Sequence, residues 1–250
     1  MACTVFFPNI LLALTLSYME TVFVSSFGEF HELIRRFLNN RQVLFRGHNR
    51  VDWNLVPRIG RKEYAKLNHD KFFASFRRRA TEFLEVEPKN AWDWLAVAQH
   101  HGLPTPLLDW SYNPLVAAYF AVFPLEDEDC VVYAYYDSEP IETEHVMPED
   151  YEGVGRLVPR GIAQRIVRQS GNFTFHSPYN LALEKAVGPN DFFVRIVIRK
   201  KYRREMIYEL DKYGFNRMTL FPDLDGLCSY MAWSGGSAVR GFWTGAGKST

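Results

Sequence analysis

A short apolar run, Val43-Leu44-Phe45, ends at Arg46 and is followed at once by Gly47. A run of this kind is typical of a buried strand, which would deliver the arginine to a cleft at its end. Guanidinium suits phosphate because its planar fork offers paired donors and keeps its charge. Glycine at the next position would leave the backbone free for a ligand to approach. Taken alone, the same residues also fit an arginine that forms a salt bridge at a strand end.

Helical and strand-like patterns alternate along the rest of the chain, with no internal repeat and no low-complexity linker. Ser26, Asn90 and Asn113 stand where helix N-caps are needed. Helices are expected over 27–38, 70–86, 91–102, 160–168 and 202–213 and after Asn113, strands over 43–46, 130–136 and 192–198, and a long loop over 137–155. This mixture predicts one α+β domain with a small mixed or antiparallel sheet flanked by helices.

The two ends of the chain differ from its middle. Residues 4–18 are strongly apolar, but no Lys or Arg precedes them and they are shorter than the ~20 residues that span a bilayer. We interpret residues 1–18 as an extension or an over-called start, with Met1 and Met19 both open as the first residue. A buried first strand or helix is the alternative. Residues 19–240 then form the domain, and residues 241–250 a flexible tail.

Charge and cysteine content exclude some classes of protein. The formal net charge is zero, so bulk charge gives no argument for binding nucleic acid or a membrane. Basic groups such as Arg77-Arg78-Arg79 are interpreted as solvated faces of helices. The three cysteines have no metal-ligand spacing and form no disulfide framework, which suits a reducing, cytoplasmic setting without a structural metal.

The densest group of polar side chains lies between residues 98 and 114. It brings His100, His101, Asp109 and Asn113 into one predicted helix–loop–helix bridge. Adjacent histidines on a helix point in different directions, so His100 and His101 are not a metal pair. Asp109 stands in an apolar run and needs a partner, for which Arg46 or a histidine is available. A polar network that locks the bridge is favoured slightly over direct catalysis.

Several blocks together resemble the FRG domain family, which is named for its Phe-Arg-Gly motif. They are residues 45–47, 53–57, 94–105, 107–110, 169–174 and 220–227, in the same order as in the family. The likeness spans about residues 22–233, and one departure is Pro106, where many relatives are expected to carry a residue such as arginine. FRG domains are mostly of unknown function, and several belong to proteins linked to phage defence. The resemblance therefore implies a toxin or a phage-defence effector.

A weaker similarity connects the strand ending in Phe45-Arg46-Gly47 with arginine-type ADP-ribosyltransferases, in which the arginine grips NAD. It implies an ADP-ribosyltransferase-like fold with NAD as substrate, and an acceptor that is a nucleic acid or a protein. NAD would be bound by four residues: Arg46, Gly47, Phe173 and His176. Catalysis would use the hydroxyl of Thr174 and a late carboxylate from Asp223, Asp225 or Glu184.

The same resemblance has a gap, and it leaves a second interpretation open. No Glu-x-Glu or Gln-x-Glu stands late in the chain, where those transferases carry their catalytic glutamate. Asp223 and Asp225 equally fit a turn that hydrogen-bonds its own backbone. The alternative is a non-catalytic recognition or scaffold domain in which Arg46, His100, Asp109 and Asp225 form a buried network. A nuclease is disfavoured, because no acidic cluster has metal-ligand spacing.

Overall fold

The computed structural model describes residues 19–137, 140–158, 171–188 and 190–236. Over these ranges the chain forms one seven-stranded mixed sheet and seven α-helices, which confirms the predicted α+β class and single domain. The N-terminal extension (1–18), the helix expected over 160–168 and the tail (241–250) lie outside the described residues. The proposed domain bounds therefore stay predictions.

The seven strands form a single sheet with one parallel pair. In chain order they are β1 (Met19–Val24), β2 (Leu44–His48), β3 (Leu107–Ser111), β4 (Cys130–Tyr136), β5 (Gly153–Leu157), β6 (Gly171–Ser177) and β7 (Phe192–Ile198). Across the sheet the order is β1-β7-β4-β2-β3-β6-β5. β1 and β7 run parallel, and every other neighbouring pair is antiparallel. The expected strands over 130–136 and 192–198 are present, whereas the loop expected over 137–155 already includes the start of β5.

The helices that pack on the sheet lie on one face, and the core on the other face is closed by Val51, Leu55 and Leu183 from the irregular segments. In chain order the helices are α1 (Phe27–Arg35), α2 (His69–Ala80), α3 (Ala91–His100), α4 (Pro114–Val122), α5 (Lys200–Lys212), α6 (Arg217–Leu220) and α7 (Leu224–Gly235). The expected caps are confirmed, because the side chains of Ser26, Asn90 and Asn113 each accept a hydrogen bond from a backbone N–H in the first turn. α2 ends six residues earlier than expected, and Phe83, expected on its apolar face, is 83% exposed.

Side chains alternate between the two faces of β2, as the period of a strand requires. Phe45 packs with the core formed by α1, α4 and α5, whereas Leu44 belongs to the core on the other face, with Tyr133 and Tyr135. Arg46, one residue after Phe45, therefore projects from the same face as Leu44.

Gly47 is needed because α4 lies directly on β2. A Cβ at this position would stand 2.0 Å from the carbonyl oxygen of Ala117 and 2.5 Å from the amide nitrogen of Ala121. α4 can approach this closely because three of its five buried residues are the alanines Ala117, Ala118 and Ala121. The glycine of the motif thus allows a helix to pack on the strand. Gly47 also lines the cavity described below, and the ligand approach that the sequence suggested stays a prediction.

Strands β2 and β3 separate soon after they meet. Phe45 and Ser111 form the only registered pair between them, whereas β2 pairs with β4 over all five of its residues. Beyond that pair the two strands are connected by the side chain of Arg46, whose Nη1 donates to the carbonyl oxygen of Asp109 at 2.5 Å. The separation opens the sheet at the point where Arg46 projects.

Arg203, on α5, holds the loops on the β2 side of this opening. Its fully buried guanidinium donates to four backbone carbonyls at 2.8–3.1 Å, those of Asn49, Val122, Pro124 and Glu128. One side chain therefore fixes the turn after β2, the end of α4 and the start of β4 relative to one another.

Candidate functional site

A cavity of about 700 Å³ opens where β2 and β3 separate. One wall is polar and charged and includes Arg46, His48, Arg61, His100, Asp109 and Asn113. The opposite wall is aromatic and comes from α4 and from the segment around α6, with Phe120, Phe215 and Phe221. Cavities of this size bind small organic ligands, and the two walls suit a ligand with a charged end and a flat ring.

Arg46 is held in place while part of its guanidinium stays available. Nη1 donates to the carbonyl oxygen of Asp109, and Nε donates to Nε2 of His48 at 3.2 Å. The side chain keeps 17% of its surface exposed, and Nη2 has no hydrogen-bond acceptor among the described residues. A guanidinium has five N–H donors, so most of them remain for a ligand.

His48 is neutral and serves as an acceptor for Arg46. Burial lowers the pKa of His48 to about 3, with a further lowering from the charge of Arg46 and an opposing effect of the Trp53 backbone. Burial also lowers the pKa of Arg46, against which the charge of Asp109 acts. An imidazole that cannot readily take a proton leaves its Nε2 lone pair for the guanidinium.

The carboxylate of Asp109 lies at the cavity wall and is oriented by a neutral partner. Its side chain is 59% exposed, with Oδ2 3.9 Å from Nη1 of Arg46. Nε2 of Gln99 donates to Oδ2 at 2.7 Å, and the hydroxyl of the buried Thr105 donates to Oε1 of Gln99. Gln99 is the closest partner of this carboxylate, whereas the sequence pointed to Arg46 or a histidine.

The remaining members of the predicted polar bridge divide between the cavity and the surface. His100 and Asn113 line the cavity, and Asn113 also caps α4 by accepting from the amide of Leu115 at 2.9 Å. His101 is exposed at the end of α3 and contacts His100 ring to ring, with centroids 5.2 Å apart. His100, Asp109 and Asn113 therefore meet at one cavity, and His101 lies outside it.

The residues predicted on β6 face opposite sides of the sheet. Phe173 lines the cavity, whereas Thr174 and His176 are fully buried on the opposite face of β6, the face that Arg46 and Trp110 share, and neither is among the lining residues. Nε1 of Trp110 donates to the hydroxyl of Thr174 at 3.0 Å, and this hydroxyl contacts Nε2 of His176 at 3.0 Å. The roles of Thr174 and His176 toward NAD stay predictions that this placement does not support.

His176 is tied into this buried chain in its neutral form. Its Nδ1 lies 2.7 Å from the carbonyl of Leu181, which can only accept, so Nδ1 carries the proton and Nε2 accepts from Thr174. Burial lowers the pKa of His176 to about 4; the bond to Leu181 opposes this and the charge of Arg46 adds to it.

The three late carboxylates predicted from the sequence are not among the residues that line the cavity. Asp223 caps α7 by accepting from the amide of Gly226 at 2.7 Å, as the turn interpretation expected. Asp225 is exposed in the first turn of α7. Glu184 accepts from the amide of Leu55 at 2.9 Å. Their catalytic roles stay predictions, and the carboxylate that does lie at the cavity is that of Asp109.

Several cavity residues were not found from the sequence. Trp53 and Arg61 come from the irregular segment between β2 and α2, where no periodic pattern points to a face. Phe120 is 44% exposed on α4, but this helix is apolar on all sides, so the pattern did not mark Phe120 as different. Pro57 and Gly60 were the signals in the sequence that could have pointed to this segment, since both indicate a loop with a defined backbone conformation.

Two further properties concern the parts of the chain that the structure describes. In these ranges no three His, Cys, Asp or Glu side chains are grouped closely enough to hold a metal ion. None of the helices there combines the length and the apolar character that crossing a membrane requires.

The fold and the site define an α+β protein with an arginine-lined cavity at a break in its sheet. Residues 41–130 match the family model of the FRG domain, and this range contains β2, α3, β3 and α4 together with Arg46 and Asp109. The chain therefore contains an FRG domain, which confirms the family predicted from the sequence. No curated protein and no solved structure matches the chain.

Proposed function

We propose that the cavity binds a nucleotide, with NAD as the first candidate, and that the domain uses it in an ADP-ribosyltransferase-like reaction. The observation that carries this proposal is the guanidinium of Arg46, which faces a cavity of about 700 Å³ with Nη2 unbonded among the described residues. A buried, oriented guanidinium favours an anionic group with paired oxygens, such as a phosphate.

Phosphate binding follows from how Arg46 is restrained. His48 and the carbonyl of Asp109 fix two of its N–H groups, so little side-chain freedom is lost when a phosphate binds the others. Arg61 lines the same cavity and adds a second positive charge. Together the two cations suit the two linked phosphates of a dinucleotide better than a neutral ligand.

Ring binding is supported by the opposite wall. Phe120 and Phe221 meet edge to face, with ring centroids 6.0 Å apart and planes at 86°. Because Phe120 remains 44% exposed, part of its ring surface is free for a flat aromatic ligand. Phe173, which the sequence predicts as an NAD-binding residue, is only 3% exposed and offers a smaller contact.

Chemistry would depend on the carboxylate of Asp109. In ADP-ribosyl transfer the bond between the ribose carbon and nicotinamide breaks, nicotinamide leaves with the electron pair, and an acceptor bonds to that carbon and releases its proton. A carboxylate oriented by Gln99 can stabilise the positive charge that develops on the sugar. In this proposal Asp109 takes the role that the sequence assigned to Asp223 or Asp225.

The proposal is tested by nucleotide binding and by nicotinamide release. NAD is expected to raise the melting temperature of the wild-type protein. Phe120→Ala should abolish most of this shift, and the variant should stay folded because Phe120 is partly exposed. Arg35→Ala, which removes an exposed cation on α1, is the control and should behave as wild type. No shift with NAD, ADP or AMP, together with no nicotinamide released in the presence of protein or nucleic acid, would overturn the proposal.

A scaffold function is the second candidate, and the internal bonds of Arg46 favour it. Arg46 joins β2 to β3, and Gln99 joins Asp109 to Thr105, so the same side chains also stabilise the fold. If this is their main role, nucleotides should shift the melting temperature of neither the wild-type protein nor the Asp109→Asn variant. Arg46→Ala should then chiefly lower the free energy of unfolding. If the cavity binds nucleotides, Asp109→Asn should retain binding and lose nicotinamide release.

A further inference from the structure

Residues 58–79, which we call the basic surface, carry a concentration of positive charge that the neutral chain as a whole conceals. The segment contains eight Lys or Arg residues and only two acidic ones, Glu63 and Asp70. All eight basic residues are exposed: Arg58, Arg61, Lys62, Lys66, Lys71, Arg77, Arg78 and Arg79. A net charge of +6 over 22 residues is enough to attract a polyanion.

These charges are not neutralised from within the described part of the chain. None of the eight forms an ion pair there; Arg58 donates to the carbonyl of Gly102 at 3.1 Å, and Arg77 lies over the ring of Trp94 at 5.4 Å. The basic residues at the start of α5 behave differently, because Arg199 pairs with Asp129 and Lys200 with Asp127 in the turn before β4. The basic surface thus keeps its charge for a partner.

The basic surface reaches the mouth of the cavity. Arg61 lines the cavity, and Arg58 is bonded to the loop that directly follows the cavity residue His100. Trp53 also lines the cavity and keeps 47% of its surface exposed, so an aromatic face lies next to the cations. Exposed cations beside an exposed aromatic ring are typical of sites that hold an unpaired nucleic-acid strand.

We propose that the basic surface binds the sugar–phosphate backbone of a single-stranded nucleic acid and that a base of this strand stacks on Trp53. A single strand fits better than a duplex, because only an unpaired base can offer its face to the tryptophan. An acidic protein would use the cations but would leave the exposed ring of Trp53 without a function. That this strand is the acceptor of ADP-ribose rests on the proposed function, whereas the binding itself does not.

Binding is measured by fluorescence anisotropy with a labelled 20-nucleotide single strand, as DNA and as RNA, and with the matching duplex. The double variant Lys62→Glu/Lys66→Glu should weaken binding at least tenfold and lower the slope of log affinity against log salt. The control Lys201→Glu/Arg204→Glu makes the same charge change at exposed positions of α5 and should stay within twofold of wild type. Trp53→Ala should weaken the single strand at least fivefold and the duplex by less than twofold.

Three results would overturn the proposal. One is equal binding by wild type and the Lys62/Lys66 variant, and another is an equal loss in the α5 control. The third is competition by polyglutamate as strong as that by unlabelled strand, which would indicate an acidic protein partner. The NAD-induced melting shift of the Lys62/Lys66 variant separates the two proposals. If the variant keeps the NAD-induced melting shift but loses strand binding, both proposals are supported. If the strand binds but NAD shifts the melting temperature of no protein tested, only the nucleotide proposal is contradicted.

Discussion

Replacing Gly47 by alanine tests whether the glycine of the Phe-Arg-Gly motif is required for α4 to pack on β2. The added Cβ would stand 2.0 Å from the carbonyl oxygen of Ala117, whereas contacts under 3.0 Å are essentially never seen for real Cβ atoms. α4 or β2 must therefore retreat by about 1 Å along a packed interface. The two nearest atoms, the carbonyl oxygen of Ala117 and the amide nitrogen of Ala121, belong to the backbone, so no side-chain rotation can relieve the clash.

The expected cost follows from this rigidity. Overpacking a core typically costs about 1–3 kcal/mol, and a clash with helix backbone belongs at the upper end. Alanine also restricts the unfolded chain more than glycine, which returns about 0.4–1 kcal/mol. We expect a net loss of about 2–2.6 kcal/mol in the free energy of unfolding, or roughly 4–10 °C in melting temperature for a domain of this size.

Urea denaturation followed by circular dichroism measures this loss, and Gly28→Ala is the matched control. Gly28 lies exposed in the first turn of α1, and a Cβ there would have Ser26 Oγ at 3.9 Å as its nearest neighbour. The control should be unchanged or stabilised by up to about 1 kcal/mol. A loss below about 0.5 kcal/mol for Gly47→Ala would refute the packing role and restore the idea that the glycine serves a ligand.

Three other predictions concern charge and buried polar groups. The folded-state pKa values of His48 and His176, about 3 and about 4, lie below the ordinary 6.5, so stability is complete above pH 6.5 and is lost as pH falls toward 4. Each of the two histidines should lower the free energy of unfolding by about 1.4 kcal/mol per pH unit across that window, as measured by urea denaturation. An unfolding free energy equal at pH 7.5 and 5.5 would contradict this. Arg203→Met should cost at least about 3 kcal/mol by the same assay, because four backbone carbonyls lose their donor, and a variant as stable as wild type would rule this out. Arg46→Lys should weaken NAD binding at least tenfold by calorimetry, because an ammonium lacks the planar fork; unchanged affinity would mean that the arginine is not the phosphate ligand.

The sequence predicted local structure well where one short pattern decides it. Ser26, Asn90 and Asn113 cap their helices because an N-cap depends only on neighbouring backbone amides. The strand expected over 43–46 is present as β2, but it continues past Arg46 to His48, because Gly47 and His48 also pair with β4. β5 was missed, since its five residues include two glycines and are held as a strand by pairing with β6.

The site could be predicted only in part, because its outline depends on contacts between distant segments. Strand alternation implies that Phe173 and Thr174 face opposite sides, but it does not tell which of them reaches the cavity. The register with β3 sets Phe173 opposite Asp109, and both line the cavity, which takes Arg46 from the other face of the sheet. Gln99 as the partner of Asp109 depends likewise on how α3 packs over β3, which no motif within either element specifies.

The separation of β2 from β3 also has a consequence for how the protein opens. Within the hydrogen-bond ladder of the sheet, one registered pair and one arginine side chain connect the block β1-β7-β4-β2 to the block β3-β6-β5, whereas the strands within each block are paired over five or more residues. The backbone amides of β2 and β3 that border this seam should therefore exchange sooner than the amides paired within either block, although Trp110 and Tyr135 pack across it in a shared core. Any anion bound by Arg46 would sit on that seam, and its binding would raise the protection of the amides on both sides.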